Sequence, residues 1–189
     1  PEMAGAAWIA IDKTNPWYET RNKTLKNVRL PSGTYLRGSG RDLCIGAACY
    51  PEGHVESESL ESSMKALYLK QESGADFLVS QLFFDDEDFY RFRELADKVG
   101  ITVPITAGIM PFMGKSQISR MVFMCGASLP SPVIKILAKY ENDPESLQAA
   151  GVDYAARQLC DLKEHGADGL HLYTMNRPAI AATIMERLG

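Results

Sequence analysis

Long apolar segments are missing from the sequence. None of its 189 residues lies in an uninterrupted apolar stretch of the ~18 residues that a membrane-spanning helix needs. The N-terminus also lacks a basic region followed by an apolar core, the pattern typical of a secretory signal. We therefore expect a cytoplasmic protein that has no membrane partner.

An excess of positive charge is missing as well. The sequence contains 20 Lys and Arg against 24 Asp and Glu, a formal net charge of −4. Proteins that bind nucleic acid present a basic surface to the phosphate backbone. This balance argues against a nucleic-acid partner.

Cysteines are few, and no two of them form a C-x-x-C pair. All four lie in apolar or amphipathic segments, which favours reduced thiols in the hydrophobic core; they are Cys44, Cys49, Cys125 and Cys160. The alternative is a zinc site that combines Cys44 and Cys49 with one of His54, His165 or His171, but the C-x₄-C spacing has no second pair. We predict no metal site.

Common catalytic motifs are also absent. The sequence has no nucleophile elbow, no P-loop and no G-x-G-x-x-G after any predicted strand. A pocket of polar groups without a catalytic dyad is typical of enzymes in which a cofactor supplies the difficult chemistry.

What the sequence does contain, from residue 42 onward, is an alternation of apolar segments and helical patterns. Strands are predicted over 43–50, 77–84, 103–109 and 169–174, and helices over 57–73, 85–99, two or three stretches within 115–165, and 178–188. Such alternation predicts a parallel α/β sheet covered by helices. An open doubly wound sheet and a (β/α)₈ barrel both fit, and the missing glycine motif disfavours the first.

One short motif occurs twice, as Gly74-Ala-Asp76 and Gly166-Ala-Asp168, each time before a predicted strand. A glycine just past a helix terminates that helix. The motif therefore indicates a weak internal repeat of helix–strand units. Residues 1–41 carry more basic than acidic side chains and show no such pattern, so this segment is left unassigned.

Polar and aromatic residues lie at or just after the ends of three of the four predicted strands. They are Tyr50 and His54, then Gln81, then Tyr173 and Arg177. In parallel α/β folds the ligand binds at the carboxyl ends of the strands. This mixture of groups is typical of a pocket for a flat, polar heterocycle.

Gln81 carries the strongest signal. With the two-residue period of a strand, Gln81 shares a face with Phe77, Val79 and Phe83. Burying an amide without a partner costs about 1–3 kcal/mol, so either neighbouring backbone or a ligand must satisfy it. The position at a strand end favours the ligand.

The other signals each have a simpler alternative. His54 lies beside several glutamates, which is also typical of a solvated surface residue. Lys70 is suited to a helix C-terminus by charge alone. Arg177 precedes Pro178, and this pair is also a reasonable helix start.

Four segments at these strand ends resemble the second half of the methylenetetrahydrofolate reductases. They are Ala-Ala-Cys-Tyr-Pro-Glu-Gly-His (47–54), Gly-Ala-Asp-Phe-Leu-Val-Ser-Gln-Leu-Phe-Phe-Asp (74–85), Ile-Thr-Ala-Gly-Ile-Met-Pro (105–111) and His-Leu-Tyr-Thr-Met-Asn-Arg (171–177). The resemblance runs over 42–189 and implies the C-terminal half of a (β/α)₈ barrel of the TIM type. It also implies a non-covalently bound FAD and an electron donor that is NADH or NADPH. The reaction that it implies is the reduction of 5,10-methylenetetrahydrofolate to 5-methyltetrahydrofolate.

The resemblance implies cofactor-binding roles for three residues. Tyr50 matches a residue beside the flavin, and His54 and Lys70 match positions that contact the ribityl, phosphate or adenosine part of FAD. Ala66 and Leu69 stand where some relatives carry polar residues that hold the cofactor.

Substrate-binding roles follow in the same way. Gln81 matches the glutamine that binds the pterin, and Tyr173 and Arg177 fall where the last strand borders the folate and nicotinamide site. Where relatives carry an aromatic residue after the Gly-Ile-Met-Pro turn, this chain has Gly114 and Lys115, and Phe112 is the candidate replacement.

The length of the chain limits these implications. A full barrel needs about 250 residues, and only its last four β/α units are recognisable here. The family's proton-donating glutamate and flavin-side aspartate have no counterpart in residues 1–41, so the catalytic residues are unknown; Tyr35–Arg37 is interpreted as the remnant of a helix. Two alternatives remain for the function: a non-catalytic half-barrel that needs a partner chain, and a pterin-binding methyltransferase barrel. For the partner, a homo-oligomer remains an alternative to a complementary chain.

Overall fold

The computed structural model describes residues 26–29, 35–37 and 44–188. Strand β1 (Lys26–Arg29) pairs with β2 (Tyr35–Arg37) in an antiparallel ladder. The interpretation of Tyr35–Arg37 as a helix remnant is therefore wrong, because its backbone is extended and paired with β1. The rest of the unassigned segment 1–41 lies outside the described residues.

Four parallel strands form the main sheet, in the order in which they occur along the chain. They are β3 (Gly46–Cys49), β4 (Phe77–Ser80), β5 (Ile105–Ile109) and β6 (Gly169–Leu172). The helices are α1 (Leu60–Glu72), α2 (Asp86–Lys98), α3 (Lys115–Cys125), α4 (Ser131–Lys139), α5 (Pro144–Glu164) and α6 (Pro178–Leu188). The predicted parallel α/β architecture is confirmed, with shorter strands than expected. Within the described residues, no helix is both long and apolar enough to cross a membrane.

The repeated Gly-Ala-Asp motif joins neighbouring strands. Its glycines adopt positive φ angles of 102° at Gly74 and 71° at Gly166, so each ends the preceding helix. The carboxylate of Asp76 accepts a hydrogen bond from the Ile45 N–H (2.7 Å), and that of Asp168 accepts one from the Ile105 N–H (2.9 Å). Each copy therefore fixes a helix–strand turn to the start of the adjacent strand.

The two faces of the main sheet have different surroundings. On one face Ala47, Leu78 and Ala107 are at most 5% exposed and pack against the helices, in a core shared with Phe89 and Leu159. The other face carries the row Ala48–Val79–Thr106–Gly169, paired in register and only partly buried. We call this second face the open face.

Three predictions about where side chains lie are wrong in whole or in part. Of the four cysteines, Cys49 is buried as expected, Cys125 and Cys160 are only half-buried, and Cys44 is exposed because it precedes β3 and lies outside the sheet–helix layers. Phe83 does not share the face of Val79, because β4 ends at Ser80; it stacks on Phe89 in the core, with ring centroids 5.3 Å apart.

Phe112 is the third failure. Its side chain is fully buried in a second core cluster, between the rings of Phe84 and Tyr154. It therefore cannot replace the aromatic residue that relatives present to the substrate.

Candidate functional site

A cavity of about 310 Å³ lies between the end of β3, the loop after it and helix α1. Its lining includes Tyr50, His54 and Lys70, the three residues that the sequence predicts as cofactor-binding. They come from a strand end, a loop and a helix, and the fold brings them together. Ala66 also lines this cavity, whereas Leu69 is 55% exposed.

Lys70 reaches back across the cavity to β3. Its Nζ donates a hydrogen bond to the Ala48 carbonyl oxygen (2.7 Å) and lies 5.2 Å from the centroid of the Tyr50 ring, within cation–π range. Burial lowers the pKa of Lys70, and Cys49 opposes this shift. The Cys49 thiol itself stays neutral, because burial raises its pKa to about 12. A partly desolvated ammonium group of this kind gains from an anionic ligand.

His54 is held in one orientation by its own loop. The rings of Tyr50 and His54 meet edge to face at 4.5 Å. His54 Nδ1 accepts a hydrogen bond from the Glu56 N–H (3.1 Å), which assigns the proton of the neutral ring to Nε2. The backbone N–H of His54 donates to Ser63 Oγ (3.3 Å). His54 is therefore half-buried and ordered rather than a solvated side chain, and its Nε2–H can donate to a ligand.

Glu52 fixes this loop to a distant part of the chain. Its carboxylate accepts hydrogen bonds from the Ser128 N–H (3.0 and 3.1 Å) and from the Ser128 hydroxyl. The loop of Tyr50 and His54 is thus tied to the connection between α3 and α4. No local pattern indicates a contact between Glu52 and residue 128, so the sequence alone does not predict it.

Gln81 lies at the carboxyl edge of the open face. Its backbone N–H donates to the Cys49 carbonyl oxygen (2.7 Å), which holds Gln81 beside the end of β3. Gln81 Oε1 accepts a hydrogen bond from the Leu82 N–H (3.0 Å), whereas its Nε2 makes no hydrogen bond within residues 44–188. Neighbouring backbone therefore satisfies only the carbonyl oxygen, and two amide donors remain for a ligand.

Tyr173 crosses the open face from β6 to β4. Its hydroxyl donates to the Ser80 carbonyl oxygen (2.9 Å), and burial raises its pKa to about 12. The ring passes so close to Gly108 that an added Cβ there would lie 2.8 Å from Tyr173 Cε2. The ring of His171 meets Tyr173 at 4.5 Å. The Tyr173 hydroxyl thus reaches the last residue of β4, which immediately precedes Gln81.

Arg177 lies in a different place from the cavity of Lys70. It is exposed and lines an open cleft of about 950 Å³ between the N-terminal turn of α3, helix α5 and helix α6. The two preceding residues, Met175 and Asn176, adopt positive φ angles of 50° and 61°. Such angles are unusual for residues other than glycine. The structure therefore does not place Arg177 beside the three predicted cofactor ligands.

Across the described ranges 26–29, 35–37 and 44–188, no three His, Cys, Asp or Glu side chains are arranged to share a metal ion.

Comparisons with known proteins all point to one family. Residues 12–189 match the family described as methylenetetrahydrofolate reductase, a range that begins upstream of residue 42. The chain is 35% identical over 156 residues to methylenetetrahydrofolate reductase 1 of Schizosaccharomyces pombe, which covers 82% of this chain and 26% of that protein. It is 32% identical over 148 residues to the 5,10-methylenetetrahydrofolate reductase of Pectobacterium carotovorum subsp. carotovorum, covering 78% and 50%. The chain thus spans half or less of the length of these relatives.

A solved structure shares the fold. It is an uncharacterized protein from Clostridium thermocellum, described as binding two copies of 5-methyl-5,6,7,8-tetrahydrofolic acid. The TM-score is 0.55 at 17% identity, over 77% of this chain and 53% of that one. The parallel sheet, its helices and these matches confirm the predicted TIM-barrel type of fold, and the chain belongs to the methylenetetrahydrofolate reductase family.

Proposed function

We propose that this chain contributes the cofactor- and folate-binding residues of a flavin-dependent reductase. The reaction is reduction of 5,10-methylenetetrahydrofolate to 5-methyltetrahydrofolate, with hydride from NADH or NADPH through FAD. The observation that carries the proposal is the convergence of Tyr50, His54 and Lys70 on one cavity, at the sheet edge where the Gln81 amide donors bond to no described residue. Membership of the family supports it.

The residues of the cavity fit a flavin nucleotide. The Lys70 ammonium and the His54 Nε2–H suit phosphate oxygens, and the Tyr50 ring offers an aromatic face to a flat ring system. Glu56, which also lines the cavity, suits ribose hydroxyls. A cavity of about 310 Å³ is at the lower end of ligand pockets, so these residues would hold one part of FAD rather than the whole cofactor. When bound, FAD supplies the hydride transfer itself.

Residues of the open face fit the folate. The Nε2 of Gln81 donates to acceptors on the pterin edge, and the phenol oxygen of Tyr173, whose proton is used by Ser80, accepts from a donor. The exposed guanidinium of Arg177 suits a carboxylate at the far end of the substrate. The ligand named for the Clostridium thermocellum protein is a folate of the same class, which supports this part of the proposal.

A flavin assay tests the proposed function. The purified chain, supplied with FAD, should be yellow under anaerobic conditions, lose its colour with NADH or NADPH, and regain it when methylenetetrahydrofolate is added. A colourless protein that does not take up FAD would contradict the proposal.

The half-buried open face favours a second candidate, a non-catalytic half-barrel that binds its ligands only with a complementary chain. The row Ala48–Val79–Thr106–Gly169 has partial solvent access, as expected of a barrel interior that further strands would cover. Size-exclusion chromatography with light scattering distinguishes the two candidates. A stable monomer that binds FAD and folate on its own contradicts the second.

Replacing Gln81 by alanine should weaken the binding of 5-methyltetrahydrofolate. Losing the amide donors at the pterin edge removes about 1–3 kcal/mol of binding free energy, or roughly 5- to 150-fold in Kd, as titration calorimetry would measure. The FAD content should stay unchanged, because Gln81 does not line the cavity of Lys70. Gln81→Glu keeps the shape and the Leu82 contact but not the donors, so it should bind folate weakly too. Unaltered folate affinity in both variants would reject this role.

A further inference from the structure

A row of polar side chains on α5 contacts the segment that leads from β4 into α2. Tyr154, Gln158 and Asp161 are spaced by four and three residues, which places them on one face of the helix. The Tyr154 hydroxyl donates to the Phe84 carbonyl oxygen (2.6 Å), and Gln158 Nε2 donates to Asp86 Oδ1 (2.9 Å). Asp161 Oδ2 accepts from the hydroxyl of a tyrosine on α2 (2.5 Å). We call Tyr154, Gln158 and Asp161 the α5 polar row.

Gln158 has one unsatisfied atom in this row. Its side chain is 5% exposed, and its Oε1 is the single buried side-chain oxygen or nitrogen without a hydrogen-bond partner in the part of the chain that the structure describes. A buried carbonyl oxygen without a donor lowers stability. The group facing the same amide is the Asp86 carboxyl, which in its ionised form has no donor to offer.

We propose that Asp86 carries a proton in the folded chain and forms a cyclic acid–amide pair with Gln158, which positions the segment that carries Gln81. In this pair Gln158 Nε2–H donates to one carboxyl oxygen of Asp86, and the O–H of the other carboxyl oxygen donates to Gln158 Oε1. Both groups of the glutamine amide are then satisfied. The pair requires one proton and no other component.

The surroundings of Asp86 keep the proton in place. Burial is the largest influence and raises its pKa to about 7; the hydrogen bond from Gln158 acts in the opposite direction, and nearby carboxylates add to the increase. The titratable and charged groups around Asp86 are Asp85, Glu87 and Tyr90 on its own side, and Tyr154, Arg157, Asp161 and His165 on α5. Of the two basic side chains, Arg157 pairs with Asp153 (3.0 Å) and His165 contacts Asp161 (3.4 Å). Neither neutralises an ionised Asp86 directly.

The pair fixes one end of the segment whose other end is Gln81. Asp86 is the first residue of α2, and between it and Gln81 the side chains of Phe83 and Phe84 are buried in two separate core clusters. Losing the proton places a negative charge beside Gln158 Oε1 and removes its donor, which loosens the contact of this segment with α5. Asp86 and Gln158 are therefore positioning residues, and their effect on folate binding rests on the proposed function of Gln81.

The sign of the pH dependence follows from the raised pKa. The folded chain retains the Asp86 proton up to about pH 7, whereas an ordinary aspartate loses it near 3.8. The stabilisation is complete below the lower value and is lost as the pH rises through the higher one. Other carboxylates add their own dependence, so comparison of variants isolates the contribution of Asp86.

Asp86→Asn tests the pair, because an asparagine amide donates to Gln158 Oε1 at every pH. Urea unfolding of the full chain between about pH 5 and about pH 8 should show a midpoint that falls more steeply with pH for the wild type than for Asp86→Asn. Glu87→Gln removes the same charge from the same helical turn without touching Gln158, so it should follow the wild type. Equal pH dependence in the wild type and Asp86→Asn would overturn the pair, as would a carbon-13 titration of the Asp86 carboxyl near its ordinary value.

Binding of 5-methyltetrahydrofolate tests the positioning role. The wild-type affinity should fall several-fold over the same pH range, and that of Asp86→Asn should not. If the unfolding data show the pair while wild-type affinity is independent of pH, the positioning role is overturned and the proposed function stands. If no variant binds the folate at any pH, the proposed function fails, and the unfolding data still decide whether the pair exists.

Discussion

Replacing Gly108 by alanine is expected to lower the free energy of unfolding by about 3 kcal/mol, the upper end for overpacked cores. The new Cβ would lie 2.4 Å from the Ser80 carbonyl oxygen and 2.8 Å from the Tyr173 ring. The carbonyl belongs to the neighbouring strand and cannot rotate away, so β4 and β5 must separate. Folate binding should fall with stability, because Tyr173 and the end of β4 are displaced together. Urea denaturation and titration with 5-methyltetrahydrofolate measure the two effects.

Gly114→Ala is the matched control. Nothing lies within 4 Å of a Cβ at this position, and its φ of −177° is extended backbone that any residue adopts. It should change the free energy of unfolding by less than about 1 kcal/mol. Adding Tyr173→Ala to Gly108→Ala should not restore stability, because the contact with the Ser80 carbonyl oxygen remains. Full recovery in that double variant would show that the ring alone is the obstacle and would contradict this interpretation.

Local patterns were sufficient to predict most of the architecture. Helix α2 begins after Asp85, which accepts a hydrogen bond from the Glu87 N–H (3.2 Å), as its position before an amphipathic segment indicated. The Gly-Ala-Asp repeat indicated where helices end, and its aspartates proved to join the strands. Such signals depend on residues a few positions apart, so a sequence shows them directly.

Strand length was harder to predict, for a physical reason. Three of the four residues from Gln81 to Phe84 are apolar and extend the predicted strand. In the structure, Phe83 packs beneath the sheet with Phe89, and Phe84 packs in the second core cluster with Phe112. Both rings are buried, as strand residues would be, but the backbone has left the sheet at Ser80. The hydrophobicity of a residue indicates that its side chain is buried, but it does not indicate in which layer of the fold the side chain is buried.

Contacts between distant residues account for what was missed at the site. The hydrogen bond of Glu52 to Ser128 and that of Gln158 to Asp86 each join residues more than 70 positions apart. Lys70 was an ambiguous prediction, because its role depends on a hydrogen bond to Ala48 across the cavity rather than on its place at the end of α1. These pairings exist only after the β/α units pack together.

Under the proposed function, replacing Lys70 by methionine is expected to raise the Kd for FAD roughly 10- to 150-fold, the loss of about 1.5–3 kcal/mol for a hydrogen bond to a charged group. Methionine keeps the apolar stem of Lys70, so the wall of the cavity is preserved. Lys65→Met is the matched control: Lys65 is on the same helix, pairs with Glu61 at the surface (2.8 Å) and should leave FAD affinity unchanged. Because burial lowers the pKa of Lys70, the wild type should lose FAD affinity as the pH rises through that lowered value, and Lys70→Met should show no such loss. Equal Kd values for Lys70→Met and Lys65→Met would remove Lys70 from the cofactor site.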